Sequence, residues 1–194
     1  CTDCVAVYSP TEGVSLRWLS ILLLGICLTI PFFSREVLVF CSPGMLSYER
    51  KWLKQLLFVG STSILFVVSL TLFVVLPFWF SSAEKAGFVE GVSPSYSAAA
   101  MLEFALIISY IEIIVFLSMI SAILLRRYGI AEGEEKASWQ FRIHGVSIFL
   151  MWLIIPSDQD TLLTLGILME FILVELSFSK INRSAYALPS FDEN

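Results

Sequence analysis

The most constraining feature of this 194-residue chain is Leu56–Phe80, which runs for 25 residues without one charged side chain. Four further apolar segments, Leu16–Phe33, Ala98–Leu125, Gly145–Ile155 and Leu162–Phe178, are separated by short charged connections. No water reaches backbone N–H and C=O groups inside hydrocarbon, so a spanning segment must satisfy them itself. None of the five segments alternates with a period of two, and their lengths suit helices. The expected fold is all-α, a polytopic membrane helix bundle with five transmembrane helices, forming one membrane domain over residues 1–194. Composition agrees, because 57% of the residues are hydrophobic and only 15% are charged, against about 25% charged in soluble domains.

Charge placement orients the bundle. Lys and Arg collect in short loops on the inner face. Arg35, Arg50, Lys51 and Lys54 lie in the first connection, Arg126, Arg127, Lys136 and Arg142 in the third, and Lys180 and Arg183 in the tail. Asp3, Glu12, Glu84, Glu90, Asp158 and Asp160 mark the alternate connections. Residues 34–55, 126–144 and 180–194 are therefore expected inside, and 1–15 and 81–97 outside. An outer N-terminus needs something to carry it across, and one more span, upstream or on a separate polypeptide, would leave both ends inside. The last two segments would reach only about 16 Å and 25 Å at 1.5 Å per residue, short of a core of about 30 Å. They are expected either to form a buried re-entrant hairpin or to thin the bilayer beneath Pro156, Asp158 and Asp160.

Several function classes fall away. A formal charge of −5 and a pI near 4.9 exclude a nucleic-acid partner, which requires a basic patch. Cys1 and Cys4 form a lone CxxC without a second half, and the only histidine, His144, is far along the chain, so no metal site is expected. No phosphate-cradling glycine loop, GxSxG or HExxH is present, so no catalytic residue, cofactor or enzyme activity is expected. Carboxylates at membrane depth are costly and point to function. They are Glu103 and Glu112 in the third span and Glu170 and Glu175 in the last, with Glu103 and Glu175 equally open to being interfacial carboxylates that reach water or pair with a basic side chain. Glu103 and Glu112 are two and a half turns apart and lie on opposite faces of a straight helix. With no basic residue mid-span, Glu112 and Glu170 must be protonated, hydrogen-bonded to hydroxyl groups or turned toward a water-filled cavity. Pro31, Pro43 and Pro77 are expected to bend or end helices.

The segment from Ser9 to Trp52, beginning "SPTEG" and ending "YERKW", resembles the second span and first inner loop of the TatC family, the multi-spanning receptor of the twin-arginine protein translocase. Ser9-Pro10-Thr11-Glu12, Pro31, Phe40, Pro43, Glu49, Arg50, Phe73, Val74 and Pro77 fall at the family's spacing. "IIPSDQDTLL" is similar to its outer loop at Pro156 and Asp158, and "ILVELSF" to its last span, with Glu175 as the matching glutamate. The resemblance implies a six-helix fold of which this chain carries helices two to six. It also implies binding of twin-arginine signal peptides of folded cargo at Glu49 and Arg50, transport driven by the proton-motive force, self-association, and single-span TatA/TatB-type partners. Where the family carries Phe-Glu-x-Pro in the third long span, this chain has Phe116, Leu117, Ser118 and Met119, and Glu36 and Leu38 replace a glutamine and a tryptophan. These departures fit an alternative, a structural subunit of a larger organellar energy-transducing complex. A transporter using Glu112 or Glu170 as a proton site would need broken-helix repeats, which are not evident. The divergence favours the mitochondrial inner membrane over the bacterial inner membrane or the thylakoid.

Overall fold

The computed structural model describes residues 5–6, 10–86, 96–131, 135–156 and 159–180, and almost all of them are helical. Helix α1 (Pro10–Cys41) leads through a 3-10 turn (Ser42–Gly44) into α2 (Ser47–Leu70). A π-helical turn (Thr71–Val75) joins α2 to α3 (Leu76–Ala86), and α4 (Ala98–Arg127), α5 (Glu135–Ile154) and α6 (Asp160–Lys180) follow. A two-residue parallel pair, Val5–Ala6 with Tyr96–Ser97, is the one strand pairing among the described residues. The chain divides into two compact units, Cys1–Ile113 and Ile114–Asn194, with the boundary inside α4.

Among the described residues, four stretches are long and apolar enough to cross a membrane: Leu16–Gly44, Ser47–Ser82, Ala100–Arg127 and Asp160–Ser179. Their outward surfaces carry Trp18, Leu24, Phe32, Phe40, Phe58 and Phe73, all largely exposed, as lipid-facing side chains must be. The last of these stretches reaches about 30 Å, because polar residues at both ends of the apolar segment join the helix. Helix α5 is 20 residues long, but its first half carries Glu135, Lys136, Arg142 and His144, so only its second half is a hydrocarbon surface.

In the first unit the prolines act differently from one another. Helix α1 continues past Pro31 to Cys41, although the ring removes the donor that would serve the Cys27 carbonyl. Pro43 sits in the 3-10 turn that closes α1, and only Met45 and Leu46, both extended, separate that turn from α2. The connection expected over 34–55 is thus mostly helix with a tight corner. Pro77 lies just past the π turn, in which the Leu76 N–H reaches back to Thr71 O. The five-residue step moves the backbone aside where a proline would otherwise meet a carbonyl. The buried stripe of this helix records the step: Ser61, Ile64, Val68 and Thr71 follow three- and four-residue spacing, and Leu76 comes five later. Beyond the turn, Trp79 and Phe80 meet Phe104 of α4 edge-on, at centroid distances of 5.7 and 6.2 Å. Tyr110 donates to Leu19 O at 2.8 Å and ties α4 to α1.

In the second unit α4 ends in a Schellman motif. Gly129 adopts φ 71°, Ile130 N–H donates to Leu125 O and Gly129 N–H to Arg126 O. Ala122, Ala131, Val174 and Phe178 form a dry core against Leu125, Trp139 and Ile143. Helix α6 buries every fourth residue, Gly166, Glu170, Val174 and Phe178, while α5 buries His144, Ser147 and Met151, and the buried Ile155 follows its end.

Candidate functional site

At the α1–α2 corner, Glu49 is the third residue of α2 and half-buried. Its Oε2 accepts the Leu46 N–H at 3.1 Å and so caps the helix it belongs to. Among the described residues its other oxygen takes no hydrogen bond and the carboxylate makes no ion pair, Arg50 and Lys51 included, both of which are exposed. The corner therefore presents a carboxylate fixed by one oxygen, beside exposed cationic side chains.

Deeper in the first unit, the Thr71 hydroxyl donates to Glu112 Oε1. Thr71 opens the π turn, so the irregular backbone and the carboxyl of α4 meet at one point. Glu112 Oε2 is buried without a partner among the described residues. Glu103 is half-buried. The two glutamates are not brought together, as their spacing requires.

Three polar side-chain pairs bear on the site among the described residues of the second unit. Gln140 donates to Glu175 Oε1 at 2.8 Å. His144 Nδ1 lies 2.8 Å from Glu170 Oε2, and the imidazole stacks on Phe171 with centroids 4.4 Å apart. Ser118 and Ser147 share a hydrogen bond of 2.6 Å. Gln140, His144 and Ser147 occupy one face of α5 at four- and three-residue spacing. Sequence reasoning found both glutamates but not their partners; the signal was available in a lone histidine placed where α5 turns apolar. Pro156 follows α5 and is half-buried, whereas Asp158 lies outside the described residues, as do residues 1–4 (Cys1 and Cys4 among them), 7–9, 87–95 and 181–194 of the expected outer and tail segments. Cys27 and Cys41 are free thiols. No group of three or more potential metal ligands occurs among the described residues.

Long apolar helices, a proline-marked corner carrying Glu49 and carboxyls inside the spans are the features on which a family assignment can be checked. The family model described as Sec-independent protein translocase protein (TatC) matches residues 2–169. The chain belongs to the TatC family. At family level it is therefore an integral membrane subunit of a Tat-type translocase, and the first-loop, third-span and α5 residues all lie within the matched segment. Glu170 and Glu175 lie just beyond it. No match was found among curated proteins or among solved structures.

Proposed function

We propose that this TatC protein is the signal-peptide receptor of a twin-arginine translocase, with Glu49 as the group that receives a guanidinium. The observation that carries this reading is the state of Glu49. One oxygen is held by the Leu46 N–H, the carboxylate is half-buried, and it has no ion pair of its own among the described residues. A preset carboxylate accepts a planar arginine fork better than any neutral group, and partial burial strengthens the pair. Arg50 limits how many cations approach and orients the peptide past the corner. The receptor binds and gates rather than catalyses, and the proton-motive force moves the cargo. Single-span TatA/TatB-type proteins and further copies of this chain are its partners. The corner faces inward and the C-terminus lies inside, in the mitochondrial inner membrane in preference to the bacterial inner membrane or thylakoid.

Glu49→Gln tests the assignment because the amide oxygen still accepts the Leu46 N–H while the charge is removed. A hydrogen bond to a charged group is worth about 1.5–3 kcal/mol, so crosslinking to a twin-arginine signal peptide should fall at least about tenfold. Unchanged crosslinking refutes the role. A second reading, a structural subunit of an organellar energy-transducing complex, is favoured by Phe116-Leu117-Ser118-Met119, which lacks the family's glutamate and proline. Co-purification in fixed ratio with respiratory or photosynthetic subunits, without signal-peptide crosslinking, would establish that reading instead.

A further inference from the structure

Glu170 is fully buried, at 0% exposure, and its one partner among the described residues is His144, itself 8% exposed. The remaining polar atom of each, Glu170 Oε1 and His144 Nε2, is buried without a hydrogen-bond partner among the described residues. The pair thus has two filled and two open positions in a contact between α5 and α6. A pair built only to hold two helices together would leave no such openings, because each unpaired buried polar atom destabilises the folded state.

The chemistry of the pair fixes its preferred load. With one dissociable proton it is neutral overall, whether written as carboxylic acid with imidazole or as carboxylate with imidazolium. Losing that proton leaves a net negative charge, and gaining another leaves a net positive one. Either is costly in a dry interface. Among the described residues, the neighbouring ionisable groups have contacts elsewhere. On α6, Glu175 takes its bond from Gln140. On α5, Lys136 stands over the Phe178 ring at 6.0 Å and Arg142 over Trp139 at 4.9 Å. On α4, Ser118 faces Ser147 with a hydroxyl, while Arg126 and Arg127 close the helix end with contacts of their own.

The geometry points to a proton-binding site at His144 and Glu170 that holds α5 against α6 when loaded and releases that contact when the proton leaves. Loading starts from carboxylate and Nδ1–H imidazole. A proton from hydronium bonds to Nε2 and leaves water behind, and the Nδ1 proton moves to Oε2, so that acid and Nε2–H imidazole result. Unloading is the reverse, with hydroxide taking the Nε2 proton to form water. The unloaded carboxylate needs water at Oε1, and water enters only if the helices separate. The inference concerns this pair alone and stands whether or not Glu49 receives a signal peptide.

The test uses the full chain in lipid nanodiscs. His144 is the only histidine, so 15N-histidine labelling gives ring signals that need no assignment. Spin labels at Phe141→Cys and Met169→Cys, on exposed positions of α5 and α6 and with the four native cysteines replaced by serine, report the helix separation. In the otherwise wild-type chain, raising the pH should change the ring signals and widen the label distance over the same interval. In Glu170→Gln the amide donates to Nδ1 as the protonated acid would, so the distance should stay at its closed value throughout. The inference is overturned if the wild-type rings titrate without any change in distance, if neither changes at any pH, or if Glu170→Gln opens like the wild type.

Discussion

Replacing Thr71 by valine isolates the contact between the π turn and α4. The two side chains have nearly the same shape, so no cavity term enters, and the change removes one hydroxyl from a buried position. That hydroxyl is the donor to Glu112 Oε1, and Oε2 is already buried without a partner, so valine leaves neither carboxyl oxygen with a bond from the protein. Hydrogen bonds between transmembrane helices average about 0.6 kcal/mol and reach about 1.7. Loss of the single partner of a half-buried carboxyl whose other oxygen is already buried unpaired belongs at the upper end, so the expected cost is about 1.5 kcal/mol, or about tenfold in the folding equilibrium. The measurement is reversible unfolding in bicelles, run as a double-mutant cycle with Glu112→Leu. Once Glu112→Leu is in place, adding Thr71→Val should cost close to nothing. An equal cost with and without the glutamate would refute the reasoning, since it would mean that Thr71 acts without Glu112.

His144→Leu should cost about 1–3 kcal/mol because it leaves the Glu170 carboxyl buried without its partner, whereas the double replacement His144→Leu/Glu170→Leu should be less destabilising than the single one; the same unfolding assay reads both. Gly129→Ala should cost about 1–2 kcal/mol, the penalty for placing a Cβ in the left-handed region at φ 71°, and should lower the thermal midpoint without changing helix content by circular dichroism. Ser147→Ala removes one side of the Ser118 contact and should cost no more than about 1 kcal/mol, since Ser118 can still donate to Ile114 O.

The helical kind of the fold was legible because a span without charges has few alternatives in hydrocarbon, whereas five crossings were expected and four stretches among the described residues are long and apolar enough to make one. Helix ends were less so. Glu135 to His144 reads as a charged loop, yet it is the first half of α5, since polar residues extend a helix wherever another helix packs against it. Pro31 reads as a break and is passed over, while Pro77 exerts its effect upstream, at a turn whose sequence TLFVV carries no mark of it. At the candidate site, the acids could be found singly from their burial in apolar runs. Their partners could not, because Thr71 with Glu112 and His144 with Glu170 are set by which helices lie side by side, over separations of 41 and 26 residues. Glu49 is the exception: its link to Leu46 is local, and a glutamate three residues into a helix predicts it.

The extra residue in the π turn makes the second membrane crossing lopsided in what length changes it accepts. Deleting one residue between Leu72 and Val75 would turn a five-residue step into an ordinary four and keep Trp79 and Phe80 pointed at Phe104, with a proline kink as the remaining cost. Inserting one would swing α3 about 100° around its axis and take the aromatic contact with it. Natural length variation in this segment should therefore run toward shortening.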